Sequence, residues 1–315
     1  MKKQLIVCVL IVLAVMVTAP LAAVDIFNTG WGFHLVDDTF FYPNYIADPF
    51  SPRFSADARS LSINEVALDS DERLDITAGT RFSLFSFRKS DNPDIGVQLD
   101  LWLTIPMFME GSSNDFLGMD GIYSVGLVLA PVDWLSARIS RHHICTHAGD
   151  EIDTYGDGDV SIDYDPTANL LSSAYVRDDF GVSLAFKPFN LLETTWLDDT
   201  LLLYGDYYFF WPGEDPLGSR QIKPVRDAIS WFAIGAEVKT PEIFGFRLFG
   251  AAHVSYWEEL AWMPSYSVEY GVEVKGPVEG VKLRVAMNQY DGRSIMNNFY
   301  NRREQFSGIS ISVER

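Results

Sequence analysis

Residues 266–294, YSVEYGVEVKGPVEGVKLRVAMNQYDGRS, alternate apolar and polar side chains on both sides of a Gly-Pro turn. Tyr266, Val268, Tyr270, Val272 and Val274 share one face, and Ser267, Glu269, Gly271, Glu273 and Lys275 share the other. After the turn, Val281, Leu283, Val285 and Met287 oppose Lys282, Arg284 and Asn288. A period of two sustained over this length predicts strand. Strands are predicted on the same grounds over 55–68, 74–88, 95–108, 120–130, 133–142, 172–188, 199–211, 228–240, 244–257, 264–275, 281–291 and 305–313. Several exceed the about 5–6 residues usual in globular sheets and reach the about 9–11 that a tilted strand needs to cross a bilayer.

The links between these strands carry a second regularity. Those at 89–94, 131–132, 241–243 and 276–280 are short, and 189–198 is somewhat longer. They alternate with the long links 109–119, 143–171, 212–227 and 292–304, while 69–73 and 258–263 are brief exceptions. Short turns on one side and long loops on the other mark a transmembrane barrel, with lipid against the apolar face and a wet or polar interior. A half-buried soluble sheet would share the alternation. Strand length, and aromatics gathered at strand ends such as Tyr207, Phe209 and Trp211, favour the membrane. The expected fold is all-β: a monomeric transmembrane antiparallel β-barrel of about 12 strands, of outer-membrane type, over 55–315. A short periplasmic N-terminal segment, 24–54, precedes it.

The first residues, MKKQLIVCVLIVLAVMVTAPLAA, have the basic start, apolar stretch and small-residue cleavage zone of a secretory signal peptide over 1–23, cut near Ala22 or Ala23. Export to the outer membrane is the expected localisation. Cleavage removes Cys8 and leaves Cys145, which excludes an intramolecular disulfide. The chain is 48% hydrophobic and 14% aromatic, with a formal net charge of −19 at pH 7. That acidity argues against nucleic acid as a partner. Outer-membrane lipid or lipopolysaccharide, and a small solute, are the partners that suit such a barrel.

Strand parity turns many charges inward: Asp100, Arg138, Arg177, Asp179, Asp206, Glu237, Arg247, His253, Glu269, Glu273, Lys282 and Arg284. Such charges need partners or water, so they either fill the lumen as paired ions or line a path for a solute. The densest chemical cluster is SARISRHHICTHAGDEIDTYGDGD, residues 136–159. If strand 133–142 continues, His143, Cys145 and His147 share one face. A nucleophile between imidazoles, with Asp150 and Glu151 nearby, has the parts of a hydrolytic site. Parity from Leu135, Ala137 and Ile139 places this set on the lipid side. The lumen side offers a rival set in Ser140 and His142, beside Arg138. The histidines lack a fixed third ligand for Zn²⁺. Asp153, Asp157 and Asp159 form a hard-oxygen cluster suited to Ca²⁺, although their spacing matches no EF-hand and Gly156 and Gly158 also fit a solvated turn.

YPNYIADPFSPRFSA (42–56), THAGDE (146–151) and YDGRSIMNNFYNRREQFSGISI (290–311) resemble the signature blocks of an exported bacterial family known as domain of unknown function 1207. The resemblance implies association with the outer membrane and lends no activity. Against the family's His-x-Ser-Ser-His-x-Gly-Asp-Glu pattern, His143, His147, Gly149, Asp150 and Glu151 match, and Cys145 and Thr146 replace the serines. The last block places Asp291, Arg293, Asn298, Tyr300, Asn301 and Arg303 at the same rim, as candidates for ligand binding or for locking loops together. The expected function is a non-enzymatic barrel: a narrow pore, a ligand-binding barrel or a structural surface protein. The alternative is an outer-leaflet lipid or lipopolysaccharide acyl hydrolase with its site at the extracellular rim.

Overall fold

The computed structural model describes residues 21–25, 30–37, 39–65, 70–111, 115–149, 175–192, 195–210, 230–276 and 280–314. The strands are β1 (Leu21–Asp25), β2 (Trp31–Asp37), β3 (Phe54–Asn64), β4 (Glu72–Lys89), β5 (Gly96–Glu110), β6 (Phe116–Val132) and β7 (Leu135–Ala148). They continue as β8 (Val176–Phe186), β9 (Leu201–Phe210), β10 (Ser230–Lys239), β11 (Phe246–Trp257), β12 (Pro264–Lys275), β13 (Lys282–Arg293) and β14 (Arg303–Glu314). From β3 to β14 each strand pairs antiparallel with the next, and β14 returns to β3, closing a 12-stranded barrel. All twelve predicted strands are present. The segment at 133–142 runs on to Ala148 because its ladder with β6 continues to the Gly118–Ala148 pair.

The alternation sorts side chains across the wall. Leu127, Leu129, Ile139, Leu184, Ile234, Val285, Ile309 and Ile311 are exposed on the outside, where lipid lies. The inside is polar and paired. Arg73 binds Asp75 and Glu304, Arg138 binds Asp100, and Arg177 binds Asp179 and Glu259. Arg284 joins Glu273 and Glu314. Burying such ions is costly without partners, and here the carboxylates and guanidiniums meet directly. Paired-ion filling is therefore the observed state of most of the predicted inward charges. Lys282 differs: it lies exposed at the end of β13.

The N-terminal region is not confined below the barrel. β2 pairs with the half of β4 that extends past the start of β3, from Trp31–Lys89 to Asp37–Ser83, so one edge of β4 passes from β3 to β2 between Ala78 and Ser83. Residues 41–53 then turn into the lumen. Pro43, Pro49 and Pro52 cannot donate to a ladder, and the remaining donors find lumenal partners. The Phe41 N–H reaches Gln98 at 3.3 Å, and the Ile46 N–H reaches the Glu237 carboxylate at 2.7 Å. Arg53 donates to the Ile46 carbonyl at 2.6 Å and to Glu269 at 3.1 Å. Tyr45 stacks on Tyr204 with centroids 3.6 Å apart and donates to Asp206 at 3.1 Å. Burial and the nearby Asp206 carboxylate push the Tyr45 phenol well above its ordinary pKa, so it remains a donor.

The opposite rim is closed by the link between β13 and β14. Ile295, Met296, Asn297, Asn298, Phe299 and Tyr300 are all buried. The Asn297 N–H and its side-chain amide both donate to Asp120, at 3.1 and 2.8 Å. Between the two insertions a cavity of 60 Å³ remains, lined by Trp102, Ser124, His142, Tyr208, Trp231 and Trp257. It can hold a few waters.

Candidate functional site

The chemistry-bearing stretch of β7 divides by parity. Arg138, Ser140 and His142 face the lumen, while Arg141, His143, Cys145 and His147 face outward near the rim away from the chain ends. On the outer face of β7 the apolar run ends at Ile139. Beside this level stand Tyr123, which is 42% exposed, and the Phe180–Phe209 pair with centroids 5.3 Å apart. Such aromatics mark a membrane–water interface.

Three strands assemble the outward group. His143 lies opposite Tyr123 of β6 and Asp178 of β8. The Tyr123 ring stacks on the imidazole with centroids 4.7 Å apart. His143 Nδ1 is 3.0 Å from Asp178 Oδ1, so the carboxylate fixes the ring and leaves Nε2 as its second nitrogen. Arg141 reaches the same carboxylate oxygen at 3.5 Å. The Cys145 thiol donates to the Gly121 carbonyl at 3.4 Å and lies 3.8 Å from His147 Nε2. Gly121 makes room for it, since a Cβ there would sit 2.9 Å from Sγ. The group is therefore a thiol, two imidazoles, a carboxylate and a guanidinium on the outer face, beyond the end of the apolar run at Ile139.

The rival lumenal set does not come together. Ser140 Oγ is buried without a hydrogen-bond partner. His142 Nδ1 stands 3.9 Å from Asp179 Oδ2, too far for a hydrogen bond. Asp179 is held instead by Arg177 Nε at 2.8 and 2.9 Å and by Trp231 Nε1 at 2.9 Å. Asp150 and Glu151, and the proposed Ca²⁺ ligands Asp153, Asp157 and Asp159, lie outside the described residues. Among the described residues no group of three or more His, Cys, Asp or Glu is placed to hold a metal ion.

The expected binding residues split in two. Arg138 clamps Asp100, with Nε at 3.0 Å and Nη2 at 2.8 Å, beneath its cation–π contact with Trp102. Arg293 is buried against Glu259 at 3.1 Å, lies over the Trp257 ring at 4.1 Å and donates to Asn297. Tyr175, whose phenol burial and the Glu259 carboxylate push upward in pKa, donates to that same carboxylate at 2.9 Å. With Asn298 buried as well, these residues build the lumen and its cap. Asp291, Asn301 and Arg303 instead line a groove on the outside of the rim. Sequence reasoning missed Asp178, Tyr123 and Gly121. For Asp178 a signal existed: with Arg177 and Asp179 turned inward, the aspartate between them must point toward lipid.

Comparisons with known proteins bear on the fold. No family model and no curated protein matches the chain. Among solved structures, outer membrane phospholipase A from Escherichia coli is similar at 11% identity and a TM-score of 0.51, over 84% of this chain and 93% of that one. The outer membrane phospholipase dimer of Salmonella typhi with bound calcium is similar at 10% identity and a TM-score of 0.51, over 85% and 93%. The NanC porin overlaps at 8% identity with a TM-score of 0.42, over 82% and 98%. At these identities the likeness is one of fold: the chain has the closed antiparallel barrel of outer-membrane proteins.

Proposed function

We propose that the protein is an acyl hydrolase that cleaves lipid esters at the outer leaflet, with Cys145 as nucleophile, His143 as base and Asp178 as the group that orients the base. The supporting observation is the His143–Asp178 pair, 3.0 Å apart, on the lipid-facing wall two residues from a thiol on the same face. The filled lumen favours this reading over a pore. The interfacial aromatics beside Arg141 and His143 favour a substrate drawn from the adjoining leaflet. A phospholipase with the same type of barrel supports it at the level of fold analogy alone.

In this mechanism the Cys145 thiol leaves the Gly121 carbonyl, turns from its resting contact with His147 toward His143, which it does not touch at rest, and gives its proton to that imidazole as sulfur attacks the ester carbonyl. Asp178 steadies the imidazolium. The tetrahedral intermediate collapses to a thioester, and the alcohol leaves with the proton from His143. Water, deprotonated by the same imidazole, then cleaves the thioester to release fatty acid and restore the thiol. His147, in contact with the resting thiol but without a described carboxylate partner, has the lesser role.

Fatty acid release from phospholipid and from lipopolysaccharide in mixed micelles tests the assignment. Cys145→Ala and His143→Ala are expected to lower the rate by about 10²-fold or more, Asp178→Asn by less, and His147→Ala only slightly. Absence of release by the wild type from both lipids would sink the proposal. Dependence on His147 with indifference to His143 would show that the base is misassigned.

A further inference from the structure

On the opposite side of the barrel from β7, the same rim carries a groove of 380 Å³. One wall is apolar, with Leu260, Met263 and Tyr266 from the β11–β12 connection and the start of β12. The facing wall is polar, with Asp291, Asn301, Arg303 and Glu65, whose carboxylate accepts from the Arg303 N–H at 2.8 Å. The apolar wall is built at a cost. Ala261 and Trp262 have φ of +53° and +62°, left-handed values unfavourable for residues with a Cβ. That turn delivers Met263 to the outside, 63% exposed.

Arg303 commits Nε and Nη2 to the Asp291 carboxylate at 2.8–3.0 Å. Its Nη1 has no described contact, and Asn301 beside it is exposed. An adjoining depression of 390 Å³ shares Tyr266 and Asp291 with the groove and runs onto the outer wall past Val268, Gln289, Gln305 and Ser307. The site thus sets one guanidinium nitrogen and an amide at the rim beside the carboxylates of Asp291 and Glu65, with Met263, Tyr266 and Val268 along the wall below. It lies on a chain of net charge −19, so this exposed guanidinium is not part of a general basic surface.

We infer that the groove binds a phosphate-bearing lipid of the surrounding leaflet, its phosphate on Arg303 Nη1 and the Asn301 amide and its first chain carbons along Met263, Tyr266 and Val268. Guanidinium and amide donors fit phosphate oxygens, and the volume falls within the range of ordinary ligand sites. Asp291 competes with the phosphate for the same guanidinium. Neutralising Asp291 therefore strengthens lipid binding, whereas neutralising Arg303 weakens it.

The test uses the full-length protein in detergent micelles and an ether-linked dialkylglycerol phosphate, with the dialkylglycerol lacking phosphate as control. Ether lipids contain no acyl ester, so binding is separate from the proposed hydrolysis, and Cys145→Ala should bind as the wild type does. The exposed Arg303–Asp291 pair contributes little to stability, so both variants should fold. The wild type is expected to bind the phosphate lipid about tenfold more tightly than the control, equivalent to about 1.4 kcal/mol. Arg303→Gln should erase that preference, and Asp291→Asn should raise affinity severalfold. Equal binding of both lipids, unchanged binding by Arg303→Gln, or weaker binding by Asp291→Asn would each overturn the inference.

Discussion

Replacing Arg73 with Met probes how the lumenal ions hold the barrel together. Arg73 is fully buried and gives Nε to Asp75 at 2.8 Å and Nη1 to Glu304 at 2.6 Å. The two carboxylates are not equally dependent on it. Asp75 keeps a contact with Arg59 at 2.9 Å, whereas Glu304, with no exposed side-chain surface, retains among the described residues only the Ile295 N–H at 3.2 Å. The variant therefore strands one buried carboxylate, for which the expected cost is about 3–5 kcal/mol, or roughly two to three and a half powers of ten in the folding equilibrium. Adding Glu304→Gln should recover most of that loss, because the cluster then contains no orphan charge. Adding Asp75→Asn should recover nothing, because it removes the nearer carboxylate partner of Arg59 and leaves Glu304 as it was. Urea unfolding in phospholipid vesicles, followed by tryptophan fluorescence, gives the three free energies. A loss below about 1 kcal/mol for Arg73→Met, or rescue by Asp75→Asn instead of Glu304→Gln, would refute the reasoning.

Further substitutions test the lumen and the outer site. A Cβ on Gly79 would meet Arg53 N at 2.7 Å and Pro52 Cα at 2.9 Å, so Gly79→Val should displace the inserted N-terminal segment. Cleavage of that segment by added protease should then become faster, and unchanged protection would argue against displacement. Tyr45→Phe removes the 3.1 Å hydrogen bond to Asp206 and should cost about 1–3 kcal/mol in the same urea assay. Gly121→Ala should push the Cys145 thiol from its carbonyl partner, raising the rate of maleimide labelling severalfold with little change in stability. An unchanged labelling rate would show that Gly121 does not restrain the thiol.

The fold was legible because its main determinant is local. The run over 264–275 alternates without a break, and its predicted limits coincide with β12. The predicted end of β7 falls short for the opposite reason, since Arg141 and His143 interrupt the apolar beat on its outer face. The two insertions into the lumen carry no periodic signal, and their anchors are remote in sequence: Ile46 with Glu237, and Asn297 with Asp120. At the outer site the residues that announce themselves by type, His143, Cys145 and His147, were visible. Asp178 was not, because its partnership with His143 exists only in the register of β7 with β8 across a link of more than twenty residues.

That register gives one pair of strands two unlike sites. His142 lies opposite Asp179 on the lumenal side, and in the next row His143 lies opposite Asp178 on the lipid side. The inner carboxylate is saturated by Arg177 and Trp231, and Arg177 is tied in turn to Glu259 at 3.2 Å. The outer carboxylate meets an imidazole and a guanidinium and faces the leaflet. A slip of one residue would exchange the two faces and put the locked aspartate outside. Arg177, bound on both sides within the lumen, opposes that slip. The ion lattice inside the barrel thus has a consequence on its surface: it holds the strand alignment that sets Asp178 beside His143, without contributing any atom to the outer site.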